Sequence, residues 1–183
     1  MDAFAHCLEA YCSPHYHPMS QGIALEGMRL VKDNLPKVVA DPNDVAARAH
    51  MMSAAAMGAV AFQKGLGAIH SISHPVGALY DTHHGTTNAV VMPMVLRFNR
   101  AEIADKLALA AKYLEIDGGF DGFYDFVVAL RRDLGVPETL ADLGVGRDRF
   151  EEIAAMAVED PSAGGNPVKL TVDNVRQLLD TCV

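Results

Sequence analysis

The sequence of 183 residues lacks tryptophan and has few aromatic residues, which make up 7% of the chain. Half of the residues are apolar, so the core has to be built from Ala, Leu, Val, Ile and nine Met. This mixture favours closely packed helices over a β-sandwich, which uses more β-branched and aromatic residues. We therefore predict an all-α, multi-helix bundle in which residues 1–183 form one helical domain.

Basic residues and cysteines are also scarce. The chain has 15 Lys and Arg against 23 Asp and Glu, a net charge of −8, which argues against nucleic acid and against anionic membranes as partners. The longest apolar run, around residues 54–62, is far shorter than the ~20 residues that cross a bilayer. Three cysteines without a C-x-x-C pair, and no signal peptide at the start of the sequence, predict a reducing compartment, the cytoplasm.

Helical periodicity dominates the order of the chain. Apolar spacing, caps and turn residues predict helices over residues 2–12, 18–36, 45–63, 87–98, 101–114, 121–134, 147–158 and 171–182, and a further helix through His70 and His74. The helix over 45–63 is rich in alanine and methionine, and its small residues would let other helices approach closely, so we expect it to be the buried central helix. Pro75 is expected to kink or break its helix, because proline removes a hydrogen bond from a helix interior.

Four of the eight histidines fall within fifteen residues of a glycine-framed segment: His70, His74, His83 and His84. Imidazole is the commonest metal ligand and exchanges a proton near neutral pH. Each of these histidines taken alone is also typical of an ordinary core or surface position. The crowding in an apolar setting is what indicates a binding site.

Asp2 and His6 offer partners for this cluster, because their i, i+4 spacing places both on one face of a helix. His70 and His74 have the same spacing. Asp2, His6, His70 and His84 make a donor set of three nitrogens and one oxygen, which suits Fe(II) or Zn(II).

Several motifs carry a family resemblance: Asp2 to Tyr11, Gly65 to Gly67 followed by His70 and His74-Pro75, His84-Gly85 with Asn88-Ala89-Val90, Asn34-Leu35-Pro36, and Gly165-Asn166-Pro167. With these motifs in order over nearly its whole length, the chain resembles the C-terminal, metal-binding half of the iron-containing alcohol dehydrogenases, in the dehydroquinate synthase-like superfamily. The resemblance implies that Asp2, His6, His70 and His84 bind the catalytic metal. It also implies that His74 lies near the nicotinamide, is not a ligand and acts in catalysis.

His83 stands where many members of that family have proline, so His83 and His84 compete for the role of ligand. The glycine after His84 and the fourteen-residue step from His70 favour His84.

The resemblance implies hydride transfer between a small alcohol or aldehyde and NAD(P), with the divalent metal acting as a Lewis acid that stabilises the alkoxide. In the family, a nucleotide-binding domain precedes this half, and the sequence has no G-x-G-x-x-G turn. We therefore expect a truncated or excised chain that is incomplete for catalysis and that uses NAD(P) only with the missing domain. An apolar face left uncovered would favour a homo-oligomer, in particular a dimer.

Three alternatives stay open at this point. The chain could be a non-catalytic helical remnant that serves as a dimeric interaction module. It could be a metallohydrolase, for which Glu9 is the only obvious general base. Last, it could have a maleylacetate reductase-like activity.

Overall fold

The computed structural model describes residues 1–182, and within them eight α-helices are joined by loops and short 3-10 turns, with no β-strand. The helices are α1 Asp2–Cys12, α2 Pro18–Ala40, α3 Val45–Ala61, α4 Ala68–Tyr80, α5 His84–Tyr113, α6 Gly119–Asp133, α7 Phe150–Glu159 and α8 Val172–Asp180. The 3-10 turns are Phe62–Lys64, Ala141–Leu143, Arg147–Arg149 and Pro161–Gly165. The all-α prediction is confirmed.

Helix α1 lies at the centre of the bundle, with eight of its eleven residues buried, and it packs against α2, α3 and α5. Close packing depends on glycine where α3 crosses it. A Cβ atom at Gly58 would lie 3.0 Å from the Cβ of His6 and 3.3 Å from the carbonyl oxygen of Ala3, closer than most real contacts allow. The small residue therefore lets α3 approach the helix that carries two predicted ligands.

The expectation that the alanine-rich helix over 45–63 is the buried centre is wrong. Only Ala47, Ala54, Gly58 and Ala61 of α3 are buried, whereas Val45 and Met52 are 77% and 75% exposed. The small residues do permit close approach, as predicted, but on one face only. Composition indicates that a helix can pack closely, but it does not say how many of its faces other elements cover.

Among residues 1–182, one helical stretch, Val45–Lys64, is long and apolar enough to cross a membrane by length and composition. Of its apolar 18-residue segment, 22% is buried. The sequence-based estimate used an uninterrupted apolar run and so passed over this longer stretch. A single stretch of this kind is weak evidence of a membrane span.

The helices continue through their internal prolines, whereas the sequence predicted an end at Pro36 and a kink or break at Pro75. α4 continues through Pro75 to Tyr80, and α5 runs through Pro93, joining the predicted helices 87–98 and 101–114 into one of 30 residues. The prediction of a broken helix at Pro75 is therefore wrong. Both prolines are buried among packed side chains, and tertiary packing of that kind outweighs the loss of one backbone hydrogen bond.

The C-terminal end of α1 is fixed by a buried ammonium group. Lys64 Nζ lies 2.7–3.0 Å from three carbonyl oxygens at that end of the helix, those of Ala10, Tyr11 and Ser13. These carbonyls have no partner within the helix, and a cation there also opposes the negative end of the helix dipole. Anchoring this end holds the axis of α1, whose other end carries Asp2.

Candidate metal centre

Three helices bring the first part of the site together. Asp2 begins α1, His70 lies in the first turn of α4, and His84 begins α5. Asp2 Oδ1 is 3.4 Å from His84 Nε2 and 3.8 Å from His70 Nε2. Within residues 1–182, these three residues form the one group of His, Cys, Asp and Glu side chains whose ligand atoms all lie within 4.8 Å of one another.

His6 lies beside this group rather than in it. Its ring stacks on that of His70, with centroids 4.6 Å apart and an interplanar angle of 14°. Its Nδ1 is 3.8 Å from Asp2 Oδ2, and the centroid of its ring is 5.2 Å from that of the tilted Phe62 ring. The structure thus brings three of the four predicted ligands together and places the fourth against them.

Glu9 holds His70 from behind. Its Oε2 accepts a hydrogen bond from His70 Nδ1 at 2.6 Å, and its Oε1 accepts one from the backbone N–H of Ile69 at 2.6 Å. We assign the proton to Nδ1 because a carboxylate oxygen is an acceptor. The other nitrogen, Nε2, then faces Asp2 and His84, which is the usual arrangement of a histidine that ligates a metal.

The position of Glu9 also bears on the hydrolase alternative. Glu9 is buried, and both of its carboxylate oxygens are bonded to residues of α4. It lies on the opposite side of the His70 ring from Asp2 and His84, out of reach of a water molecule at the cluster. Glu9 thus acts as a positioning group, and a metallohydrolase would lack the general base that the sequence offered.

The charges of the cluster follow from this packing. Burial opposes protonation of His70, but hydrogen bonding to Asp2 and Glu9 outweighs it and raises the pKa of His70 to about 9. The hydrogen bond from His70 holds the pKa of Asp2 below its usual range. Burial lowers the pKa of both His6 and His84. At neutral pH, therefore, Asp2 is ionised, His6 and His84 are neutral, and His70 carries a proton that a metal would have to displace.

Asn88 marks the centre of the cluster. Its Nδ2 donates to Asp2 Oδ1 at 2.8 Å and lies 3.0 Å from His84 Nε2 and 3.3 Å from His70 Nε2. Its Oδ1 is buried and, among residues 1–182, has no hydrogen-bond partner. Two imidazole nitrogens and a carboxylate oxygen, all possible metal-ligand atoms, thus converge on one point. This donor set fits Fe(II) or Zn(II).

The neighbouring residues His83 and His84 make different contacts. His83 is the N-cap of α5, and its Nδ1 accepts a hydrogen bond from the backbone N–H of Thr86 at 3.3 Å. His84 turns toward Asp2 instead. This geometry supports His84 over His83 as the ligand.

His74 forms a second carboxylate–imidazole pair, one turn after His70. Its Nδ1 donates to Asp160 Oδ2 at 2.8 Å, and Asp160 Oδ1 accepts from the backbone N–H of Ser162 at 2.8 Å. The side chain of His74 is 42% exposed, and its ring stacks on that of His84 with centroids 5.4 Å apart. His74 is not among the group within 4.8 Å. It is placed to exchange protons beside the cluster.

Sequence reasoning missed Asp160 and assigned Glu9 a different role. Asp160 is 86 positions from His74, and Glu9 is 61 positions from His70. No local spacing relates residues so far apart. The signal closest to Asp160 was the Gly165-Asn166-Pro167 motif in the same turn-rich loop.

That motif fixes the start of α4. Asn166 Oδ1 accepts from the backbone N–H of Ala68 at 3.1 Å and from Asn99 Nδ2 at 2.8 Å. A Cβ atom at Gly67 would lie 2.9 Å from Asn166 Oδ1 and 3.1 Å from Glu9 Oε1. Only glycine at this position lets Asn166 and Glu9 reach the first turn of α4, where His70 lies.

Fold and geometry together define an all-helical domain with a candidate centre for a divalent transition metal. Comparison with known families agrees, because the model of the Fe-containing alcohol dehydrogenase family, C-terminal, matches residues 1–183. The chain belongs to this family and corresponds to its C-terminal domain.

Individual relatives support the assignment. The chain is 38% identical over 192 aligned residues to a 4-hydroxybutyrate dehydrogenase of Cupriavidus necator, covering 98% of this chain and 49% of the relative. It is 37% identical over 187 to an NAD-dependent methanol dehydrogenase of Bacillus methanolicus, with coverage of 98% and 49%. A solved 1,3-propanediol oxidoreductase superposes with a TM-score of 0.95 at 32% identity, covering 100% of this chain and 50% of the other. The chain spans about half the length of the relatives it matches.

The role of Glu9 can be tested by replacing it with glutamine, which keeps its size but removes its charge. We expect Glu9→Gln to weaken Co(II) or Zn(II) binding by about 10–100-fold, because loss of such a carboxylate makes the ligating imidazole less basic and less well oriented. Titration against a chromophoric chelator measures the affinity. Glu102→Gln, an exposed change on α5, should leave it unaltered, and equal affinities for the two variants would contradict the assignment.

The pKa of His70 gives metal binding a defined pH dependence. Since the pKa of His70 is about 9 before metal binds, one proton must leave at lower pH, and the apparent affinity should rise by about tenfold per pH unit between pH 7 and 9. Above pH 9 this dependence should level off. Calorimetry in two buffers of different ionisation enthalpy should show about one proton released per metal at pH 7.5. A flat affinity between pH 7 and 9 would show that His70 is already neutral.

Proposed function

We propose that this chain supplies the metal-binding and proton-transfer half of an NAD(P)-dependent alcohol dehydrogenase that interconverts a small alcohol and its aldehyde. The observation that carries this proposal is the convergence of Asp2, His70 and His84, with Glu9 holding His70 in the orientation of a ligand. Membership of the iron-containing family supports the reaction class.

The proposed ligands are Asp2, His6, His70 and His84. Three of them already converge, and His6 lies against His70 with its Nδ1 3.8 Å from Asp2. A divalent metal, Fe(II) or Zn(II), held by these residues would supply a Lewis acid that favours the deprotonated alcohol. The buried side of the cluster, formed by Glu9 and His70, excludes water and keeps the donor atoms fixed.

His74 is the proposed catalytic residue. Asp160 accepts from its Nδ1, so the other nitrogen, Nε2, is free to take the proton that leaves the alcohol. Because the side chain is 42% exposed, it can pass that proton to solvent. An imidazole held in one tautomer by a carboxylate is well suited to general acid–base catalysis. Asp160 acts here as a positioning residue.

NAD(P) is proposed as the hydride acceptor, since it supplies redox chemistry that amino-acid side chains lack. We place its binding site in the nucleotide-binding domain that the family resemblance implies, so that the cofactor meets the alcohol beside His74. The chain by itself is then expected to give no NAD(P)H signal with small alcohols.

The predicted cytoplasmic location, homodimer and absence of membrane and nucleic-acid partners stay proposals. The exposed apolar residues of α3, such as Val45 and Met52, form the surface that we propose as the dimer interface. If the chain were a non-catalytic interaction module, it would dimerise without retaining metal. Metal content therefore distinguishes the two functions.

Replacing single ligand residues tests the proposed set of metal ligands. His70→Ala and His84→Ala should each reduce the metal content of the purified chain sharply, because each opens one of four ligand positions. His83→Ala and His74→Ala are matched controls in the same segment and should retain metal. Elemental analysis measures the occupancy, and circular dichroism verifies the fold. Unchanged metal in both ligand variants would disprove the assignment.

A second variant series tests the role of His74 in a full-length context. His74→Ala should lower kcat by ~10²–10⁴, the usual contribution of general acid–base catalysis, while metal content stays that of the wild type. Asp160→Asn should lower kcat less and shift its pH profile, since it weakens the hold on His74. His50→Ala, an exposed change on α3, serves as the control. Loss of metal together with activity would show that His74 is a ligand.

A further inference from the structure

A cavity lies between α5, α6 and α8, apart from the metal cluster, and the proposed reaction does not use it. Its volume is about 430 Å³, within the usual range for small-molecule sites. Its lining includes Val90, Met94, Arg97, Tyr124, Arg131 and Thr181. None of these residues belongs to the metal cluster, and the lining residues of α5 begin about two turns after His84.

The inner wall of this cavity carries a buried guanidinium group. Arg131 is only 9% exposed. Its Nη1 donates to the carbonyl oxygen of Val90 at 3.3 Å, and its Nη2 to those of Pro137 and Glu138, each at 3.1 Å. Its Nε is buried and has no partner among residues 1–182. Within the same residues, Arg131 forms no ion pair within 4.0 Å: its three hydrogen bonds go to carbonyl oxygens, and the carboxylate of Glu138 acts on it only at longer range.

Arg97 stands at the same cavity, also without an acidic partner in the described part of the chain. It is exposed, and its Cζ lies 4.7 Å from the centroid of the Tyr124 ring. Six of the nine arginines do form ion pairs with Asp or Glu: Arg29, Arg100, Arg132, Arg147, Arg149 and Arg176. Of the remaining three, only Arg48 lies away from this cavity.

A shortage of acidic residues does not explain this pattern, because the chain has 23 of them against 15 basic residues. A buried charge without an ion-pair partner is unfavourable, and the Arg131 guanidinium group uses only three of its five N–H donors, which leaves two for an anion. Two such groups facing one cavity therefore indicate an anion-binding site.

We propose that this cavity binds a small organic monocarboxylate. Arg97 and Arg131 would face the carboxylate, and the hydroxyl group of Tyr124 supplies a further donor. Glu138, which also lines the cavity, leaves a single net positive charge and so favours a monoanion over a phosphate dianion.

The apolar part of the lining explains why the ligand should be organic. Val90, Met94, Phe98 and Leu178 form this part of the wall, and they would bury a short alkyl chain. Besides Glu138 and Tyr124, the titratable group at the cavity is the thiol of Cys182, whose pKa is raised by burial. It is therefore uncharged and does not compete for the arginines.

Sodium butyrate is the probe, titrated calorimetrically into the full chain against sodium chloride of equal ionic strength. We expect saturable binding at one site for butyrate and none for chloride. Arg97→Gln should weaken butyrate binding by about tenfold, as loss of a charge-assisted hydrogen bond predicts. Arg48→Gln, the matched change at an arginine outside the cavity, should have no effect. Arg97 is exposed, so its variant tests the site even if Arg131→Gln fails to fold.

No saturable butyrate binding, equal affinities of Arg97→Gln and wild type, or tighter binding of inorganic phosphate would overturn the proposal. This carboxylate site and the proposed metal-dependent function can be disproved separately. A chain that retains metal but does not bind butyrate would contradict only the carboxylate site.

Discussion

The buried carboxylate of Glu9 is the group on which the arrangement of the site depends. One oxygen binds the backbone at the start of α4, and the other binds the ring of His70, so Glu9 joins the central helix α1 to the helix that carries two site histidines. Helix α1 is itself enclosed by other helices and held at its far end by Lys64. The two hydrogen bonds of Glu9 therefore fix His70 relative to the core. A carboxylate buried at this point is stable only because both of its oxygens are bonded.

A carboxylate–imidazole pair occurs twice on α4, one helical turn apart, once buried and once exposed. Glu9 and His70 form a buried pair, whereas Asp160 and His74 form a pair open to solvent. In each case the carboxylate fixes Nδ1 and leaves Nε2 directed outward from the pair. Burial favours a fixed ligand, and exposure favours a group that gives up and takes protons. The division of roles between two histidines of α4 therefore follows from their surroundings.

Much of the fold could be predicted from local pattern. The helix over 2–12 and the final helix after the Thr171 cap agree with the structure, because apolar period and capping are properties of neighbouring residues. The interpretation failed where packing overrides local preference. α4 and α5 continue through Pro75 and Pro93, since both prolines lie in well-packed segments. The surface position of α3 could not be predicted either, because it depends on which elements cover each face.

The sequence by itself determined the helical class, the pairing of Asp2 with His6, and the histidine-rich segment, because i, i+4 spacing places side chains on one face. It also indicated the chemistry, since imidazole and carboxylate donors together suit a divalent transition metal such as Fe(II) or Zn(II). Only the tertiary structure decided that Glu9 meets His70 and that Asp160 meets His74. These contacts join residues 61 and 86 positions apart, and contacts at such separation arise from the packing of whole helices, which no local period encodes.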